Sequence, residues 1–174
     1  KVKGMKEHVI LIGFMGAGKT TIGKRLSKKL GVSLLDTDRL IEEEAQITIS
    51  RIFETKGEEA FRQAETRMLK TLAKYEDKAV ISVGGGLPMR EENRKILKEM
   101  GTVVYLRVRP STVIKRLKGD TTRPLLQGED AQKKVRTLLN DREKLYQEAA
   151  HLTVDVDGKT VGQITTEIEG SLIQ

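Results

Sequence analysis

Residues 13–20, Gly13-Phe14-Met15-Gly16-Ala17-Gly18-Lys19-Thr20, spell GFMGAGKT and match the pattern G-x-x-x-x-G-K-[ST] in full. Glycines at these positions let backbone N–H groups curl around phosphate oxygens without obstruction by side chains. The helix that follows points its N-terminus at the same anion. Lys19 can reach the β- and γ-phosphates, and the Thr20 hydroxyl can ligate Mg²⁺. The flanks supply the context that the motif requires. His8 to Gly13 is an apolar β run ending at glycine. Lys19 to Leu30 carries Ile22, Leu26 and Leu30 at helical spacing and stops at Gly31, a C-cap signal. A glycine-rich turn with a chance lysine would not sit between a strand and a helix in this way. The stretch points to nucleotide binding and leaves the reaction open.

Outward from this loop, strands alternate with helices. Strands are predicted at Ser33 to Asp36, Ala79 to Val83, Thr102 to Arg107 and Leu152 to Val156. Helices are predicted at Arg39 to Gln46, Ser50 to Thr55, Glu58 to Tyr75, Glu91 to Met100, Ser111 to Lys118, Ala131 to Ala150 and Thr160 to Leu172. Pro110 is placed to start the helix at Ser111. Gly119 to Asp130 is polar, holds Pro124 and Gly128, and reads as a mobile loop. The alternation argues for an α/β fold, a parallel sheet covered on both faces. Ligands of open α/β sheets bind beyond the carboxyl ends of the strands. Residues 13–20, 36–38 and 84–86 all fall at such ends, so they are expected to converge on one crevice.

The 174 residues suit a single domain with one core, and 37% hydrophobic with 33% charged residues is a globular composition. Absence of cysteine excludes disulfides, thiolate metal sites and a cysteine nucleophile, and suits a reducing cytosol. The apolar run Val9 to Ile12 is too short for a signal peptide or a membrane span. Residues 1–4 read as a remnant ahead of a natural start at Met5. The net charge of +7 raises a nucleic-acid partner as one reading. Six aromatics and no tryptophan make stacking platforms scarce. Lys24, Arg25, Lys28 and Lys29 crowd one helical stretch, which reads as a solvated face. A basic balance also suits a protein that handles small anions.

Two acids follow the second strand, in Leu35-Asp36-Thr37-Asp38. If the chain stays extended there, Asp36 and Asp38 share one side of it. Magnesium on a nucleotide takes one or two carboxylates, often through water. A phosphoryl acceptor needs a separate carboxylate to hold its hydroxyl. Asp36 is therefore expected toward the metal and Asp38 toward substrate hydroxyls. The alternative is that Asp38 caps the helix beginning at Arg39. Gly84-Gly85-Gly86 ends the third strand and implies that something approaches the backbone closely, unless it is a plain turn.

Arginines complete the pattern. In Ala131 to Ala150, Val135, Leu138, Leu139, Leu145, Tyr146 and Ala149 mark an apolar stripe on which Arg142 falls. A guanidinium there must be paired, face a cleft, or snorkel from the edge of the stripe. Arg62 has Glu65 one turn away to orient it, as a surface ion pair would also have. Two arginines facing one crevice would make a carboxylate grip. Arg116 and Arg123 flank Lys118 to Thr122, and a hinged loop carrying arginine can close over a nucleotide.

The ordered set resembles the shikimate kinase family from about His8 to Leu172: GFMGAGKT, LDTD, Phe61-Arg62-x-x-Glu65, Gly84-Gly85-Gly86, Arg123-Pro124-Leu125-Leu126 and Arg142-x-x-x-Tyr146. The resemblance implies a three-layer α/β/α P-loop fold in one domain over 1–174. Its sheet has five parallel strands in the order 2-3-1-4-5, with a shikimate-binding region at about 37–66 and a mobile lid at about 119–130. It implies Mg-ATP-dependent phosphorylation of the 3-hydroxyl of shikimate, in chorismate and aromatic amino-acid biosynthesis, by a cytoplasmic monomer without nucleic-acid or membrane partners. Residue by residue, Gly16, Ala17, Gly18, Lys19, Thr20 and Thr21 would hold the ATP phosphates. Thr20 and Asp36 would serve Mg²⁺, and Asp38 would bind shikimate hydroxyls as candidate base. Arg62 and Arg142 would hold the shikimate carboxylate, with Gly84, Gly85 and Gly86 beside it. Lys19 and Arg123 would offset charge on the moving phosphoryl group, and Arg116 would pack near the adenine. Lys159 stands where some members of the family have an arginine on the adenine side. The competing readings are another small-metabolite kinase, such as a gluconate kinase, and a nucleotide-dependent switch or nucleic-acid-binding ATPase.

Overall fold

The computed structural model describes residues 7–117 and 130–173. The expected remnant at 1–4, Arg123 and nearly all of the expected lid lie outside them. β1 (His8–Ile12) is buried along its whole length, as an unbroken apolar run in a parallel sheet should be. It sits at the centre of five strands ordered β2-β3-β1-β4-β5, with β2 (Ser33–Asp36), β3 (Ala79–Ser82), β4 (Gly101–Arg107) and β5 (Leu152–Asp155). All four pairings are parallel; Ile10 lies opposite Ile81 on one side and Val103 on the other. α1 (Lys19–Leu30) packs with α8 (Val161–Ile173) over one face of the sheet, and α5 (Glu91–Met100) with α7 (Ala131–Ala149) over the other. α2 (Thr37–Ala45), α3 (Ile49–Lys56) and α4 (Glu58–Ala73) form a helical cluster between β2 and β3. α6 (Pro110–Leu117) follows β4. The core includes Ile10, Leu26, Leu69, Val104 and Tyr146, all fully buried.

The elements match the expectations closely, and the differences have local causes. α2 starts at Thr37, two residues earlier than predicted, because the Asp36 carboxylate caps it by accepting from the N–H groups of Asp38 and Arg39. The expectation that Asp38 could cap that helix is thereby corrected: Asp36 is the cap, and Asp38 lies in the first turn. The chain is helical, not extended, between the two aspartates. α8 starts one residue late because Thr160 is its cap. Its hydroxyl accepts from the N–H of Gln163, and the Gln163 side chain accepts from the N–H of Thr160, a reciprocal capping box. A 3₁₀ turn at Leu87–Met89 follows the three glycines; it holds Pro88 and has no periodicity to announce it.

Candidate active site

The chain steps from β1 to one side of the sheet for β2 and β3, then to the other for β4 and β5. The crevice opens at that reversal, beyond the carboxyl ends of the strands. A cleft of about 350 Å³ lies there, lined from the phosphate loop by Lys19 and Thr20, from β2 and α2 by Asp36 and Asp38, and from α4 and α7 by Arg62 and Arg142. The three expected segments therefore meet.

On the nucleotide side, Gly16 and Gly18 take left-handed backbone angles, with φ of 82° and 90°, that only glycine adopts cheaply. No side chain caps α1, so its first N–H groups are left for an anion. The Lys19 ammonium donates to the carbonyls of Gly13 at 2.6 Å and Phe14 at 3.2 Å, folded back over the loop. Thr20 and Thr21 are exposed at the mouth. Ala17 is buried, with its N–H donated to the Phe14 carbonyl. Arg116 reaches across from α6 and donates to the Gly16 carbonyl, tying that helix to the loop. Lys159 is exposed and pairs with Glu167 at 3.0 Å; it does not line the cleft.

The rest of the cleft holds a knot of buried charge. Arg62 donates to Glu65 Oε1 at 2.7 Å and more weakly to Glu58 at 3.4 Å. Burial works against the Arg62 charge, but Glu65 and Glu58 outweigh it and hold its pKa above the ordinary value. Arg142 is buried, 9% exposed, with its guanidinium 5.5 Å from the centre of the Phe14 ring. Its Nη1 has no hydrogen-bond partner among the described residues. This is the cleft-facing alternative of the sequence reading, not the snorkelling one. An unpartnered buried guanidinium nitrogen is costly unless something arrives to use it.

The three glycines fit this knot one by one. A Cβ on Gly84 would lie 2.6 Å from Asp38 Oδ1 and 3.0 Å from Glu65 Oε2. One on Gly86 would lie 2.4 Å from Arg62 Nη1. Gly85 stands beside Arg142, and its carbonyl accepts from the Tyr146 hydroxyl at 2.6 Å. Close approach by charged side chains, not a plain turn, explains the triplet. Thr37 was not singled out from sequence: its hydroxyl accepts from the Gly84 N–H at 3.1 Å and pins the glycine loop to α2. Its only signal is a small hydroxyl residue between two aspartates.

Gly86→Ala tests this packing. The clash falls on the end of a flexible side chain, so the fold is expected to survive while the shift of Arg62 raises the acceptor's KM on the order of tenfold. An unchanged KM would show that Arg62 does not need its place.

Glu65 is 1% exposed. Burial drives its pKa up to about 7, against the opposing pull of Arg62, with Asp38 adding to the rise. Its unfolded value is the ordinary carboxylate one, so the folded chain holds this proton more tightly. The stability due to Glu65 therefore falls as pH rises from the unfolded value to about 7. Between pH 5 and 8 the loss is on the order of 2 kcal/mol. Urea unfolding at both pH values is expected to show this fall in the wild type and not in Glu65→Gln; parallel trends would refute it.

Among the described residues, no three His, Cys, Asp or Glu side chains cluster as a metal cage. Thr20 and Asp36 lining one cleft fit instead the Mg²⁺ pattern, in which a nucleotide and waters supply most ligands.

Comparison with known proteins agrees with this geometry. The family model described as shikimate kinase matches residues 15–172. A shikimate kinase of Bacillus anthracis (strain CDC 684 / NRRL 3495) is 47% identical over 163 residues, 94% of this chain and 96% of its own. The solved shikimate kinase from Acinetobacter baumannii in complex with shikimate superposes with a TM-score of 0.91 at 38% identity, covering 98% of this chain and 94% of that one. A gluconokinase from Sinorhizobium meliloti shares only the fold, at 14% identity and a TM-score of 0.56.

Proposed function

The chain belongs to the shikimate kinase family, and on that premise we propose that it transfers the γ-phosphoryl group of ATP to the 3-hydroxyl of shikimate, releasing shikimate 3-phosphate and ADP. The observation that carries the acceptor is the buried Arg142, whose Nη1 lacks a hydrogen-bond partner, facing the same cleft as Arg62 and the phosphate loop. Two guanidinium groups in one cleft, beside Gly85 and Gly86, suit a carboxylate. Asp38, lining the same cleft, suits the hydroxyl that reacts.

In this reading the N–H groups of Gly16, Gly18 and the first turn of α1, with the side chains of Thr20 and Thr21, receive the ATP phosphates. Lys19 leaves the Gly13 and Phe14 carbonyls to bind them. Arg62 and Arg142 grip the shikimate carboxylate against Gly85 and fix the ring, so that the 3-hydroxyl meets Asp38. Asp38 orients that hydroxyl and takes its proton. Thr20, directly, and Asp36, through water, would hold Mg²⁺, which supplies neutralisation of phosphate charge when bound. The Asp36 Oδ1 caps α2 at the same time. Arg123, which lies outside the described residues, would offset charge on the phosphates, and Arg116 borders the adenine. Residues 37–66 form the acceptor-binding region of a single domain spanning 1–174, and Lys159 contributes on the adenine side. The protein acts as a cytoplasmic monomer in the route to chorismate, without nucleic-acid or membrane partners. Among the described residues, no helix is long and apolar enough to cross a membrane.

ADP release from Mg-ATP, followed with and without shikimate and with gluconate as control, tests the reading. Turnover is expected to depend on shikimate and to ignore gluconate. Release that ignores both acceptors would leave a nucleotide hydrolase and overturn the kinase assignment.

A further inference from the structure

Glu65 is a buried acid that the transfer itself does not use. Its Oε1 is held by Arg62, while its Oε2 is buried with no hydrogen-bond partner among the described residues. The charged groups bearing on it come from three helices: Arg62 on α4 itself, Asp38 on α2 and Arg142 on α7. The pairs that α4 makes toward α5, Arg90–Glu59 and Lys70–Glu92, lie at the surface, as does the Arg51–Glu54 pair of α3. The glycine loop brings Gly84, which carries no charge, against Oε2.

We infer that Glu65 is a positioning residue that takes up a proton when the acceptor's carboxylate docks, so that acceptor binding is proton-coupled. The inference rests on the proposed assignment of Arg62 and Arg142 as the carboxylate grip. In the unliganded site Arg62 gives its Nη1 to Glu65. A second carboxylate arriving at Arg62 and Arg142 divides that positive charge between two anions. It also adds a negative charge beside an acid that burial already disfavours as an anion. One of the two carboxylates must then be neutralised. Shikimate's carboxylate gains both guanidinium groups, whereas Glu65 has one oxygen without a partner. Protonation turns that Oε2 into a hydroxyl donor on the side of Gly84 where Asp38 Oδ1 also lies. Repulsion between two acids becomes attraction, and the ionised Asp38 is held in place for the acceptor hydroxyl.

The acid already titrates near neutrality without ligand, at about 7. Docking raises that value further, so the uptake peaks just above neutral pH. Titration calorimetry of the full chain with shikimate, at about pH 7.5 in three buffers of different ionisation enthalpy, reads the proton count directly. Uptake of roughly half a proton per shikimate is expected. Shikimate affinity should fall by up to about tenfold per pH unit above neutrality. In Glu65→Gln, a neutral isostere, both the uptake and the pH slope should vanish. Binding with heats independent of buffer would overturn the inference while leaving the acceptor assignment standing. The same uptake in Glu65→Gln would assign the proton to another group and overturn it equally. No binding heat at all would sink the acceptor assignment and this inference with it. Because the proton count is read on the wild type, it does not depend on the variant folding.

Discussion

Asp38→Asn is expected to lower kcat by roughly 10²- to 10⁴-fold, the usual range for losing a positioned proton acceptor. The amide keeps the size and one oxygen that can accept from a hydroxyl, so shikimate still docks. It cannot take the proton as the 3-hydroxyl attacks, and it removes a negative charge from the cleft. The expected split is a large fall in kcat with KM changed only a few-fold, measured by coupled ADP release. Thermal stability is expected to hold or rise. Asp38 faces Glu65 across Gly84 and contributes to the raised Glu65 pKa, so neutralising it relieves like-charge repulsion in a buried place. A variant with near-normal kcat would remove Asp38 from the chemistry and leave it a hydroxyl ligand alone.

Arg142→Ala is expected to act on the other parameter. Each charge-assisted hydrogen bond to the acceptor carboxylate contributes about 1.5–3 kcal/mol. Losing a forked pair, partly offset by Arg62, should raise the KM for shikimate by roughly 10²- to 10³-fold. The KM for ATP should change far less, since the loop glycines, Thr20 and Thr21 all remain, although Arg142 lies against Phe14 of that loop. The fold should tolerate the change, because apolar side chains of the same helix hold α7 in place. Tyr146 and Leu139, buried on the same stripe, do that. Equal losses for both substrates would point instead to a displaced α7.

Much of this was legible in the chain because the signals are local. GFMGAGKT specifies its own strand, turn and helix, and the apolar run Val9 to Ile12 specifies a strand buried on both faces. The alternation of elements and the choice of strand ends as the site follow from chirality and connection rules that act on any βα unit. The resemblance then supplied strand order, acceptor and roles that spacing alone does not contain. Arg142 was suspect because a guanidinium on an apolar stripe must be accounted for, and that rule needs only helical periodicity.

Other features depend on residues far apart in the chain. Helix start signals tolerate either aspartate as the cap, and only the path of the chain after β2 gave that place to Asp36, leaving Asp38 to face the cleft. Thr37 matters because Gly84, 47 residues away, presents its N–H there. The triple glycine reads as a turn until Asp38, Glu65, Arg62 and Arg142 arrive from three helices to occupy the space that side chains would fill. Glu65 looks like an ordinary i,i+3 partner of Arg62, and its burial is invisible in that spacing. Local propensity and periodicity depend on neighbours within a turn or two, so the sequence by itself determined the elements, the phosphate loop and the place of the cleft. Desolvation and charge coupling depend on what the fold brings within a few ångströms, so only the tertiary structure decided which acid caps a helix, which lines the cleft beside Gly84, and which one titrates near neutrality.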